Sequence, residues 1–179
     1  MKPLNVPFFS ESNNLNCAPA AARSVLAYYG INKTEEELVE VMETEKNKGT
    51  PPPFFIKGIE KLGLKAKFIH KQGKEEEFEM LKTYLKNNIP VIVSLNMNIY
   101  RNNIRKVDGV ASWQGKDFTF HYVVVTFVDK EFVTILDNAE KTEQLGKMKL
   151  DINTFLSAWY NQYLFGDMFV IEKPPANLK

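Results

Sequence analysis

A chain of 179 residues, 44% hydrophobic and 25% charged, is long enough for one domain with a real core and departs from the composition of disordered chains. Its net charge of +1 gives no electrostatic footprint for nucleic acid, and no basic helix stands out for a membrane surface. One cysteine excludes an internal disulfide, and two histidines leave a zinc site dependent on carboxylates, so no structural metal is expected.

The opening segment, MKPLNVPFFSESNN, lacks the apolar run and small-residue cleavage site of a signal peptide. No run approaches the roughly 18 apolar residues of a membrane span. A soluble, cytoplasmic protein without an integral membrane segment is therefore expected. Ala18, Ala22, Val25, Leu26 and Tyr29 share one helical face, and Gly30 ends that helix. Thr34 and Glu37 have the spacing of a capping box, with Leu38, Val41 and Met42 behind it. After KGTPPP, the residues Phe55, Ile59 and Leu62 mark a third helix, stopped by Gly63. KAKFIH reads as a short strand, and Phe78, Leu81 and Leu85 mark a fourth helix.

From residue 90 the period changes. PVIVSL reads as a buried strand, and FTFHYVVVTFV (118–128), apolar at both parities, as a central strand covered on both faces. EFVTILD follows after a tight turn, which predicts a hairpin. Phe155, Leu156 and Trp159 mark one more helix, and DMFVIEK a closing strand. Residues 98–117 are polar and irregular and read as a long loop. Helices first and an antiparallel sheet second is the α+β pattern. The expectation is a single domain over 1–179, with a helical half at about 10–88 and a sheet half at about 89–173.

Three residues stand out chemically. Cys17 follows Asn16, a good N-cap residue, and precedes Pro19, which is tolerated in a first turn. That puts the thiol at about the first helical position, where unpaired N–H groups and the helix dipole favour a thiolate. A free cysteine is otherwise most often a small buried hydrophobe. His121 lies inside the most apolar strand, where its ring must be satisfied. Asp137 ends the neighbouring strand, so a hairpin sets its carboxylate within reach of the imidazole. His70 reads as an exposed or edge histidine. Tyr100 and Trp113, in the long loop, are candidates to line a substrate cleft.

SESNNLNCAPAAARSVLAYYG resembles the opening of the papain-like cysteine peptidases of the bacteriocin-processing, double-glycine leader type. The similarity continues, in order, through TEEELVEVM, GTPPPFFIKGIEKLGLKAK, FHYVVV and VTILDNA. The resemblance implies a papain-like fold and a catalytic set of Cys17 as nucleophile, His121 as general base and acid, and Asp137 as its orienting residue. It also implies no cofactor and a peptide or protein as substrate, cleaved through a thioester acyl-enzyme. Two positions depart from the pattern. Ala18 stands where the family has Gly, and Glu11 stands at the oxyanion-hole position, six before the cysteine, where the family has Gln. An amide donates to an oxyanion, whereas an ionised carboxylate repels it. A thiol hydrolase, an acyltransferase on the same scaffold and a peptide-binding domain without turnover therefore all stand open.

Overall fold

A computed structural model describes residues 2–70, 72–105, 120–160 and 166–174. Helix α1 (Cys17–Tyr28) buries its alanine-rich face together with Val25 and Leu26. Gly30, at φ +80°, turns the chain out of it, and the Ile31 N–H returns to the Leu26 carbonyl. The capping box forms as the spacing predicts: Thr34 accepts from the Glu37 N–H, and Glu37 accepts from the Thr34 N–H, at the start of α2 (Glu35–Val41). Helix α3 (Pro52–Lys61), strand β1 (Ala66–Ile69) and helix α4 (Lys74–Lys86) follow in the expected order.

Strand β2 (Val91–Asn96) is buried at all six positions. Residues 97–105 depart from the expected loop and form helix α5 (Met97–Arg105). Three asparagines hide it from propensity, but Met97, Tyr100 and Ile104 carry helical spacing. The rest of that loop, including Trp113, lies outside the described residues. Strand β3 (Phe120–Val128) pairs with β2 on one side and with β4 (Phe132–Leu136) on the other. Asp129 makes the hairpin turn, its carboxylate accepting from the N–H groups of Glu131 and Phe132 at 2.8 and 2.7 Å. A short helix, α6 (Glu143–Gly146), and strand β5 (Lys147–Asp151) add a further edge that the alternating pattern does not announce. Helix α7 (Ile152–Trp159) and strand β6 (Met168–Ile171) complete the described elements.

The strands form one antiparallel sheet of six, in the order β1-β6-β2-β3-β4-β5. The closing strand is thus internal, and β1, from the helical half, joins the sheet only through it. Helices α1 and α4 pack on β3, and α7 packs on β2, burying the apolar sides into one core around Phe55, Phe155, Trp159 and Phe169. Among the described residues, no helix is long and apolar enough to cross a membrane.

One tight approach fixes the end of β4. The Asp137 N–H donates to the Gly146 carbonyl at 2.8 Å. A Cβ at Gly146 would lie 2.4 Å from the Phe8 ring and 2.8 Å from the Asp137 carbonyl oxygen. The ring can give way, but the backbone oxygen cannot without moving the strand end. Gly146→Ala is expected to cost about 1–3 kcal/mol of stability, read as a lower Tm in thermal denaturation.

Candidate active site

The register of the β3–β4 hairpin assembles the first half of the site. Val124 pairs with Leu136, so Asp137, one residue on, falls opposite Val123 and on the same side as His121. Diagonal neighbours of this kind are within reach of longer side chains. The His121 Nε2 and the Asp137 Oδ1 are 2.7 Å apart. His121 is 2% exposed and Asp137 is fully buried.

Asp137 is saturated with donors. Its Oδ1 also accepts from the Ala139 N–H at 3.0 Å, and its Oδ2 accepts from the Tyr100 hydroxyl and from Arg101 Nη2, both at 2.7 Å. Arg101 reaches Glu140 as well, at 3.1 Å. Burial alone would raise the Asp137 pKa, but His121 and Arg101 outweigh it and hold the carboxyl well below the usual carboxylate range. Burial likewise opposes a charged His121; the charge and hydrogen bond of Asp137, helped by Cys17, prevail and keep the ring well above the ordinary histidine value.

Cys17 opens α1, which packs on β3, and is 8% exposed. With Nε2 engaged by Asp137, Nδ1 is the ring nitrogen left for the thiol, and the Cys17 sulfur lies within 4.8 Å of a ring nitrogen of His121. Asn16 stands at the N-cap position without capping. Its amide donates instead to Glu35 Oε1 at 2.6 Å, and the Ser12 backbone N–H and hydroxyl donate to the same carboxylate. Glu35, itself buried, so anchors the loop before α1 to α2. Asn138 holds the loop from the other side: its carbonyl accepts from the Glu11 N–H at 2.8 Å, and its amide donates to the Phe9 carbonyl and the Ser24 hydroxyl.

Glu11 is the residue held between these anchors. Its side chain turns inward: a carboxylate oxygen, a ring nitrogen of His121 and the Cys17 sulfur all lie within 4.8 Å of one another. The Oε2 atom is buried without a hydrogen-bond partner. Burial is the main reason its pKa is pushed up to about 7; His121 and Arg101 pull it down, and Asp137 and Glu35 push it up.

Beside Cys17 lies a cavity of about 280 Å³, whose walls include Leu15, Pro51, Pro52, Phe120 and Tyr122, with Lys48 and Asp167 as charged members. His70 is placed near this wall, its Nδ1 in contact with Asp167 Oδ1 and its ring stacked on Phe68. Of the two residues expected to line a cleft, Trp113 lies outside the described residues. Tyr100 is not a wall residue at all: it is completely buried behind Asp137. The polar loop reading failed there because Tyr100 faces inward from a helix. Arg101, Glu35 and Asn138 were not singled out from sequence. Only the spacing of Met97, Tyr100 and Ile104 carried a signal, since it sets Tyr100 on the inner face and Arg101 beside it.

Residues 3–164 match the sequence profile of the Peptidase C39-like family. In fold, the chain is similar to a C39-like peptidase candidate of Bacillus anthracis, with a TM-score of 0.68 and 18% identity over 97% of this chain and 99% of that one. It is similar to the peptidase domain of Streptococcus ComA, a bifunctional ABC transporter, with a TM-score of 0.66 and 21% identity over 95% and 100% of the two chains. A double-glycine motif protease from an AMS/PCAT transporter, solved with its leader peptide, superposes with a TM-score of 0.65 and 20% identity over 94% and 92%.

Proposed function

The chain belongs to the Peptidase C39-like family, and from that premise we propose that it cleaves a peptide bond, with Cys17 as nucleophile, His121 as general base and acid, and Asp137 orienting His121. Its fold and family are those of cysteine peptidases. The observation that carries the finer reading is the placement of the Cys17 sulfur within 4.8 Å of a His121 ring nitrogen, with His121 hydrogen-bonded to Asp137 and Asp137 held from behind by Tyr100 and Arg101.

His121 takes the Cys17 proton, and the sulfur attacks the carbonyl carbon while the carbonyl oxygen becomes an oxyanion. The C–N bond then breaks, His121 returns the proton to the leaving amine, and a thioester remains. Water, activated by the same imidazole, attacks the thioester and regenerates the thiol. The N–H of Cys17, at the start of α1, is free of intrahelical bonds and is one donor for the oxyanion. The substrate is a peptide, its side chain lodging in the largely apolar cavity beside Cys17. A second reading, a peptide-binding domain without turnover, is favoured by one observation, the carboxylate of Glu11 beside the reacting atoms. An acyltransferase would use the same run of residues with an amine or thiol in place of water.

The first test is alkylation of Cys17 by iodoacetamide as a function of pH, in wild type and His121→Ala. The expected result is a thiol titrating well below its free value of about 8.5, an effect that His121→Ala removes. Equal, slow labelling of both proteins would overturn the nucleophile assignment and leave the binding reading. Glu11→Gln supplies a second prediction. Below about pH 7 the wild-type carboxyl is neutral and can donate; above it the charge opposes the oxyanion. The ratio of kcat/KM, Glu11→Gln over wild type, should therefore stay near unity on the acid side. It should grow by about tenfold per pH unit on the alkaline side, towards the 10²–10³ that one oxyanion donor contributes. A flat ratio across the pH–rate profile would show that Glu11 does not face the oxyanion.

A further inference from the structure

Glu11, Cys17 and His121 present three different ligand chemistries to one point in space. One carboxylate oxygen, the thiol sulfur and an imidazole nitrogen lie within 4.8 Å of one another. A tetrahedral zinc ion, with bonds of about 2.0–2.3 Å, separates its ligand atoms by roughly 3.5 Å. The three side chains thus need only a small inward rotation. We propose that these three residues form a binding site for a divalent ion of the zinc type, which holds the thiol in an unreactive state.

Three further observations point to a ligand there. The Glu11 Oε2 is buried and has no hydrogen-bond partner, so a coordination site is available on it with no bond to break. His121 is held at Nε2 by Asp137, which aims Nδ1 into the cluster. A carboxylate behind the outer ring nitrogen is the second shell that metal-binding histidines generally have. The loop carrying Glu11 is anchored on both sides, by Asn138 at its backbone and by Glu35 through Ser12 and Asn16. The third ligand is therefore held in place by groups outside the cluster.

The donor set selects the ion. Sulfur and imidazole nitrogen with one oxygen suit zinc and its neighbours in the first transition row, whereas calcium and magnesium call for oxygens throughout. A thiolate and a carboxylate balance the two positive charges of the ion, with a neutral imidazole as third ligand. Behind them, Asp137 and Arg101 already form an ion pair. Binding changes no oxidation state: the thiol proton, with any proton on Glu11 or His121, leaves to solvent as the metal–ligand bonds form. The fourth position is left to water. The scarcity of histidines argues against a structural metal, and a reversible ion on the reacting thiol is a different site. That such an ion would silence cleavage rests on the peptidase reading above; that it binds does not.

The test uses the whole protein, stripped with a chelator and titrated with cobalt(II) and then zinc(II). The expected result is a thiolate-to-cobalt charge-transfer band with tetrahedral visible bands, saturating at one ion per chain and displaced by zinc. Zinc should protect Cys17 from iodoacetamide, and Cys17→Ala should lose the charge-transfer band. Glu11→Gln, at a half-buried loop position and verified as folded by circular dichroism, should bind at least about tenfold more weakly. Absence of the band in wild type, or unchanged affinity in Glu11→Gln, would overturn the proposal. Peptide cleavage by the stripped protein is measured in parallel. Cleavage without a metal band removes this site and keeps the peptidase; a metal band without cleavage does the reverse.

Discussion

Cys17→Ala is expected to lower kcat for peptide cleavage by about 10⁴ or more, the scale seen when a covalent nucleophile is removed from an otherwise intact site. The fold should survive, because Cys17 is small and its neighbours Ala18, Pro19 and Ala20 keep the first turn of α1 in place. Peptide affinity, measured by calorimetry, should change little, since Cys17 is one small member of a cavity wall contributed mostly by other residues. This split between turnover and binding is what separates the two readings. Cleavage that persists in Cys17→Ala would exclude thiol chemistry at this site. A wild type that binds peptide yet never turns over would leave a binding domain.

Asp137→Ala is expected to act on stability as well as rate. It strips the shared partner from a buried imidazole, a buried tyrosine hydroxyl and an arginine that is 13% exposed. Removing one member of a buried ion pair costs about 3–5 kcal/mol, which for a chain of this size lowers Tm by about 6–15 °C. Glu140 remains beside Arg101, so the lower end of that range is expected. The pH dependence has a definite sign. The folded Asp137 carboxyl is held below its ordinary value, so its contribution is complete above about pH 4 and fades as pH falls towards the folded value. His121 is shifted upward, so its contribution is complete below about pH 6.5 and fades as pH rises through its folded value. The difference in unfolding free energy between wild type and Asp137→Ala should therefore shrink at both ends of the pH range. Asp137→Asn keeps the shape and a carbonyl acceptor, and should lower kcat by about 10⁴ with a smaller loss of stability. Equal rates for Asp137→Asn and wild type would remove Asp137 from the mechanism.

The parts of the site that local pattern determines were legible in the sequence. An N-cap residue, a cysteine and a proline in series define the first turn of α1. A strand apolar at both parities is one with covered faces, and a histidine inside it needs a partner. The hairpin then brings Asp137 close, but the face it takes is set by the bulge between Val125 and Phe127: the register at the turn alone, with Val128 opposite Val133, would put it on the other side from His121. What the sequence concealed depends on tertiary packing. Asparagines lower the helical propensity of residues 97–105, yet α5 forms because Tyr100 and Arg101 find Asp137. Glu11 is marked in the sequence only by the resemblance, as the residue at the oxyanion-hole position; that its side chain turns inward depends on the anchoring by Glu35 and Asn138, both distant in sequence. The interior place of β6 is equally invisible, since nothing in DMFVIEK distinguishes an edge strand from a middle one.

That interior place has a consequence for the order of assembly. During synthesis β2, buried at all six positions in the finished fold, emerges long before β6, the strand that covers its outer edge. Until Met168–Ile171 leaves the ribosome, β1 has no strand to pair with and β2 presents an apolar rim with unpaired backbone groups. Cys17, His121 and Asp137 have all been made by then, but the sheet they rest on is still in two pieces. A nascent chain halted before β6 should accordingly be a chaperone client prone to edge-to-edge association, and thiol reactivity should appear only after the last strand has slotted in.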